Sequence, residues 1–378
     1  MKIGVAGLWH LGPVTAACLA AAGHEVVAYD GEATTIARIE SGRLPVAEPG
    51  LGELIAQGAA TGALRFSSRP ADLGGADVAW ITYDTPVDGD GRADVEAVFG
   101  AASAVLSHLR PASLVLVSSQ LPVGSTRRLE TIYRDLQPGG AATFAAVPEN
   151  LRLGSAIDSF TRPARVVVGI RAGADKERIA ALLAPFTGHI EWMGVESAEM
   201  TKHALNAFLA TSVAFANELA GLCERVGADA EEVERGLKSD VRIGPRAYLR
   251  PGGAFAGGTL ARDVQFLIDL GRSEGLSARL MAAVRDGNEA HKEWPRRRLL
   301  EVVGDARGKR IAILGLTYKP GTDTLRGSSA LETSRWLRER GARVVAYDPA
   351  ISALPDEISP FLELRPSVGE ALQEADAA

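Results

Sequence analysis

Cysteine is almost missing: Cys18 and Cys223 are the only two in 378 residues. Both fall in segments patterned as helices, which excludes a disulfide framework and a cysteine zinc site and fits a reducing compartment. A surplus of positive charge is missing too. Lys and Arg number 41 against 47 Asp and Glu, a net charge of -6, so the electrostatic footprint of a nucleic-acid-binding chain is not there. No charged stretch followed by an apolar run and a cleavage site opens the chain, and no apolar run is read as long enough to span a bilayer. The expected location is cytoplasmic, with neither membrane nor nucleic acid as partner. His10, His24 and His203 lack the spacing with acids or cysteines that marks a metal site, so no metal is expected.

What is present suffices for two or three cores. With 46% hydrophobic and 23% charged residues the chain is too apolar for a disordered protein, and its length exceeds what one core usually organises. An apolar run at Lys2–Ala6, a glycine turn, an alanine-rich helical stretch over 13–22 and a second run over 25–30 read as strand, helix, strand. Apolar runs at 78–82, 114–118, 143–147 and 166–169 repeat at the spacing of a parallel sheet with helical crossovers. These define a first domain, 1–195.

From 196 to 226 there is no proline and one glycine, Gly221, while Met200, Leu205, Phe208, Leu209, Phe215, Leu219 and Leu222 recur at helical spacing. The pattern predicts a helix ~45 Å long, the spine of a helical region at 196–300. In 301–378 the run 311–314, Gly315, a helical stretch at 330–340 and a strand ending at Asp348 begin a second nucleotide-binding-type half. The chain stops at Ala378 before a third strand is expected, so this half is read as incomplete. The fold class is α/β: a first domain built as a parallel sheet with helical crossovers, a long central helix with a helical middle domain, and a shortened C-terminal half of nucleotide-binding type.

Gly7-Leu8-Trp9-His10-Leu11-Gly12 sits where the first strand turns into a helix, and Asp30 ends the next strand. A carboxylate there accepts hydrogen bonds from an adenosine ribose and repels a 2′-phosphate, which favours NAD over NADP. Gly7, Trp9, Leu11, Gly12 and Asp30 are the candidate cofactor contacts. Trp9 occupies the position where glycine lets backbone approach the pyrophosphate. Its ring either turns outward or fills the pocket.

Further segments carry a resemblance: Asp84-Thr85-Pro86 with Asp90-Gly91-Arg92-Ala93-Asp94, Pro122-Val123-Gly124-Ser125-Thr126, and Pro148-Glu149-Asn150-Leu151-Arg152. Ala198-Glu199-Met200-Thr201-Lys202-His203-Ala204-Leu205-Asn206-Ala207-Phe208, Arg242-Ile243-Gly244, and Lys319-Pro320-Gly321-Thr322-Asp323 with Arg326 and Ser328 follow in order. As a colinear series these resemble the UDP-glucose/GDP-mannose dehydrogenase family, from Lys2 to about Asp348. The resemblance implies two Rossmann-like domains joined by a long helix, a homodimer through that helix, and oxidation of a nucleotide sugar's primary alcohol to a carboxylate with two NAD. It adds Thr85 and Gln120 to the cofactor contacts. It assigns Asn150, Leu151, Arg152, Arg242, Gly257, Lys319 and Arg326 to the nucleotide-sugar substrate, and Lys202, Asn206, Asp263, Glu149 and Thr259 to the reaction centre.

Four-electron oxidation needs a covalently held aldehyde, which a thiol provides as a thioester that water then cleaves. The family's Gly-Gly-Ser-Cys-x-Pro-Lys-Asp segment corresponds without gaps to Ala256-Gly257-Gly258-Thr259-Leu260-Ala261-Arg262-Asp263, which places Thr259 at the cysteine. A threonine hydroxyl is a far weaker nucleophile. Leu153 and Gln120 stand where the family has glutamate and threonine at the water and nicotinamide end. Lys202 and Asn206, four apart on one helix face, still can donate to a developing alkoxide, and a carboxylate can take the alcohol proton directly or through a water. The expected function is a two-electron oxidation of a nucleotide-sugar alcohol to a ketone or aldehyde. The alternatives are an epimerase that retains NAD and a non-redox nucleotide-sugar binder in which Trp9 blocks the cofactor. For single residues the bland readings are a solvated stripe for Lys202 and Asn206, a helix cap for Asp263 and a volume filler for Thr259.

Overall fold

Runs of Val, Ile, Leu and Ala covered on both faces become strands, and the structure, a computed structural model, describes all residues except 87–92, 150, 256–257 and 319. Two units are resolved, Met1–Lys202 and His203–Ala378. In the first, strands β1 (Lys2–Ala6), β2 (Glu25–Tyr29), β3 (Leu64–Ser67), β4 (Val78–Ile81), β5 (Leu114–Val117), β6 (Thr143–Ala146), β7 (Val166–Ile170) and β8 (Ile190–Met193) form one sheet in the order β3-β2-β1-β4-β5-β6-β7-β8. Strand order reverses between β1 and β4, the point at which open α/β sheets leave a crevice beyond the strands' carboxyl ends.

Helices α1 (Leu11–Ala21), α2 (Ala33–Glu40), α3 (Leu51–Ala60), α4 (Val95–Leu106), α5 (Ser125–Leu136), α6 (Ala156–Thr161) and α7 (Lys176–Leu183) supply the covering layers. Val14, Leu19, Ile55 and Leu182 belong to one buried cluster, Phe99, Leu106, Leu129 and Tyr133 to a second. The wholly parallel sheet expected from spacing is corrected at β7, which runs antiparallel to β6, with β8 parallel to β7. A parallel return needs a crossover of a dozen or more residues, usually a helix laid along the sheet. Between β6 and β7 the described helix is α6, six residues long, and the chain turns back there instead of crossing over.

Helix α8 (Val195–Val226) begins in the first unit and continues into the second; its 32 residues extend ~48 Å. By length and composition it could cross a membrane, which the run-length reading did not expect. Glu199, His203, Asn206 and Asn217 are nevertheless buried along it. In the second unit α9 (Ala230–Ser239), α10 (Thr259–Ser273), α11 (Arg279–His291) and α12 (Glu293–Val303) follow, and Ala207, Ala210, Phe255, Val264, Ile268 and Val284 form a core.

A smaller sheet ends the chain. Strand β9 (Arg310–Leu314), helix α13 (Ser329–Glu339), strands β10 (Arg343–Tyr347) and β11 (Glu363–Leu364) and helix α14 (Val368–Leu372) give the parallel order β11-β10-β9. A third strand therefore does form, contrary to the expectation. Two residues long, β11 is too brief to register as an apolar run, and its pairing with β10 defines it.

Candidate active site

The turn between β1 and α1 lies at the carboxyl end of β1. Gly7 has φ +98°, a conformation that excludes most side chains, and its N–H donates to Tyr29 O at 2.9 Å. A Cβ on Gly12 would sit 1.9 Å from Gly7 O, so the first turn of α1 packs on the strand end only because Gly12 has none. Asp30 accepts from Leu8 N at 2.9 Å and Glu32 N at 3.0 Å and stays partly exposed, leaving carboxylate lone pairs for a ribose. Trp9 is 44% exposed, so its ring turns outward and fills no core position. A glycine cradle, a helix amino terminus and an acid on the next strand fit the diphosphate and ribose of NAD.

Thr85 Oγ1 donates to Gln120 O at 2.6 Å, so these two expected cofactor residues meet each other beyond β4 and β5. Nearby, Glu199 accepts from Gly124 N at 2.6 Å and Thr126 N at 2.8 Å. This buried carboxylate from α8 caps α5, a role the sequence did not disclose. Residues 90–92 of the expected motif lie outside the described residues.

Lys202 Nζ donates to Glu149 O at 2.6 Å and lies 3.4 Å from Glu149 Oε1. Their side chains are 11% and 19% exposed, so the pair is sheltered yet reachable, and the solvated-stripe reading of Lys202 fails. Glu149 Oε2 also accepts from Leu151 N at 2.7 Å. A cavity of about 60 Å³ beside Glu149 is also lined by Leu11, Thr15, Trp80, Ser118 and Phe160, which puts Leu11 of the cofactor turn and Glu149 on one space. Arg152 is exposed, and Asn150 lies outside the described residues.

In the second unit Asp263 is fully buried. Its Oδ1 lies 2.9 Å from His203 Nδ1, and its Oδ2 accepts from Asn206 Nδ2. The bland alternative of a helix cap for Asp263 is overturned, because α10 begins at Thr259 and Asp263 lies within it; the carboxylate turns toward α8 and away from the helix's own first amides. His203 also meets the Phe266 ring edge-on, at 5.4 Å between centroids. Reading the histidines only for metal spacing missed this pair, although His203 stands next to Lys202 and three residues before Asn206. Thr259 is the first residue of α10, one turn before Asp263 and therefore on the same face. A helix amino terminus depresses a thiol's pKa, so the position suits a thiolate and carries a hydroxyl.

Arg242 is exposed and forked onto Asp240, with Nε–Oδ1 3.0 Å and Nη2–Oδ2 2.7 Å, which holds the Asp240 carboxyl below the usual range. Arg326 is exposed in the loop before α13. Gly257 and Lys319 lie outside the described residues.

A doubly wound sheet with a cofactor turn at its switch point, and a lysine–carboxylate pair beside that turn's cavity, defines a dinucleotide-dependent oxidoreductase. Comparison with known proteins specifies which. The UDP-glucose/GDP-mannose dehydrogenase family matches with its NAD binding domain at residues 1–187, its central domain at 196–290 and its UDP binding domain at 312–378. A UDP-glucose 6-dehydrogenase from Rhizobium meliloti is 34% identical over 385 residues, covering 100% of this chain and 88% of the relative. One from Pseudomonas aeruginosa is 36% identical over 366 residues, covering 93% and 80%. The solved UDP-glucose dehydrogenase of Pyrobaculum islandicum superposes with a TM-score of 0.92 at 32% identity, over 100% of this chain and 90% of that one. The chain belongs to the UDP-glucose/GDP-mannose dehydrogenase family and is an NAD-dependent nucleotide-sugar dehydrogenase acting on CH–OH donors.

Proposed function

We propose that this dehydrogenase removes one hydride from a nucleotide-sugar alcohol and stops at the ketone or aldehyde. The observation that carries this reading is Thr259 at the amino terminus of α10, with both thiols buried in other helices. Burial pushes the Cys18 thiol up to about 12, which leaves it protonated and unreactive. A secondary alcohol suits such a site, because its ketone cannot proceed to an acid.

Bound NAD supplies the hydride acceptor. Lys202 and Asn206 donate to the substrate oxygen as negative charge develops on it. Glu149, the more accessible carboxylate, takes the hydroxyl proton directly or through a water. Asp263, buried with an oxygen on each of two partners, orients Asn206. Thr85 and Gln120 line the cofactor side, and Leu151, Arg152, Arg242 and Arg326, with Asn150, Gly257 and Lys319, serve the nucleotide sugar. The protein works as a cytoplasmic homodimer through α8, where Leu205, Phe208, Phe215 and Leu222 are exposed at helical spacing.

The relatives' names favour the rival reading, four-electron oxidation to a uronic acid. Counting NADH against carbonyl or acid product decides: one NADH per sugar and a carbonyl are expected, and UDP-glucose gives no uronate. Two NADH with uronate would overturn the proposal. Lys202→Ala should lower kcat ~10²-fold with a smaller change in KM; a rise in KM alone would reassign Lys202 to holding the diphosphate.

A further inference from the structure

Among the buried acids that the reaction described above leaves unused, Glu48 ties two separate segments of the first unit together. Glu48, in the loop before α3, has a side chain 1% exposed. Its Oε2 receives His10 Nε2 at 3.1 Å and Gly154 N at 2.9 Å, and its Oε1 receives Ala156 N at 2.7 Å. A carboxylate only accepts, so His10 Nε2 carries the proton. The donors come from two functional segments of the first unit. His10 closes the cofactor turn at the N-cap of α1, and Gly154 and Ala156 open α6 directly after residues 149–152.

Two of these donors share one oxygen, so a shift of His10 is felt at Gly154. Removing a donor from a buried carboxylate leaves it under-satisfied, which favours keeping all three together. Trp9 makes the link more consequential, because the turn has lost the glycine that would let backbone alone approach a diphosphate.

We propose that Glu48 and His10 are positioning residues that couple the cofactor turn to the substrate segment. Once the turn holds NAD, His10 is fixed, Glu48 is fixed by His10, and the opening of α6 with Leu151 and Arg152 is organised before the sugar arrives. The idea rests on the substrate role proposed above for residues 149–152. Coupling of this kind is reciprocal, so the occupied substrate segment also strengthens NAD binding.

The test is hydrogen–deuterium exchange on the full chain with and without saturating NAD, for the parent, His10→Phe, His10→Gln and Glu48→Gln. In the parent, NAD should slow exchange of the peptide spanning 150–160 about 5-fold or more. His10→Gln, which keeps an N–H donor, should retain this effect. His10→Phe and Glu48→Gln should lose it while peptide 5–14 is still protected by NAD. If Glu48→Gln does not fold, His10→Phe decides alone. Undiminished protection of 150–160 in His10→Phe would overturn the proposal, since direct contact with NAD or a purely structural Glu48 predicts that result. No protection of either peptide in the parent would overturn it as well. Failure of the substrate role shows separately, as an unchanged KM for the active sugar in Arg152→Ala.

Discussion

In the first unit Gly7 donates to Tyr29 O at 2.9 Å and Leu8 to Asp30 Oδ2 at 2.9 Å; in the second, Gly315 donates to Tyr347 O at 2.8 Å and Leu316 to Asp348 Oδ2 at 2.6 Å. Gly-Leu and Val-Val-Ala-Tyr-Asp occur in both halves and build the same joint twice, with φ +98° at each glycine. Beyond the joint the halves part. The first passes through Gly7–His10 straight into α1 and needs Gly12 to do so; the second spans residues 315–328 before α13, and a Cβ on Gly315 would meet nothing within 4 Å. Asp30 keeps part of its carboxylate open, whereas Asp348 is buried on the amides of Leu316, Thr317 and Ala350. A short turn brings the strand end directly onto a helix amino terminus, whereas the second half separates the two by a long connection. One local lock thus precedes two different connections.

The sharpest break in this comparison is Gly12→Ala. Its methyl would collide with Gly7 O, a backbone atom that cannot step aside, so we expect about 3 kcal/mol of destabilisation and loss of NAD binding. Gly315→Ala, strained only by its φ, should cost about 1–3 kcal/mol and leave NAD binding intact. Denaturant titration with NAD calorimetry measures both, and equal effects would show that the halves do not differ as described.

A smaller contrast separates the two aspartates. Asp348→Asn should cost about 1–3 kcal/mol of stability with NAD affinity unchanged, because its acceptor oxygens serve backbone amides. Asp30→Asn should weaken NAD about tenfold and narrow the preference over NADP, with less effect on folding. Reversed outcomes would exchange their roles.

The smallest expected effect is on acid stability. Burial pushes the Asp348 carboxyl up, but the amides of Thr317, Ala350 and Leu316 outweigh it, and the net shift is below the usual range. A depressed folded value means that the contribution is complete above the unfolded value of about 3.9 and is lost as pH falls through the folded one. Asp348→Asn should therefore flatten the stability profile below about pH 4, read from denaturant midpoints across pH. A parallel offset with an unchanged acid limb would contradict the shift.

The cofactor half was legible because a strand, a glycine turn, a helix and a terminal acid are short-range features; Gly7, Gly12 and Asp30 stand where turn stereochemistry requires them. Helix α8 was legible for the same reason, and so was the shared face of Lys202 and Asn206, which follows from helical periodicity. The hydroxyl at position 259 is a fact of the sequence alone. Tertiary structure decided the rest. Trp9 turns outward, β7 runs against β6, β11 exists only through its pairing with β10, and Glu48, Glu199 and Asp263 each find their partners across 38 to 108 residues of chain. Periodicity and turn preference act over a few residues, whereas a buried carboxylate is satisfied by whichever donors packing brings to it, and no local pattern encodes which those are.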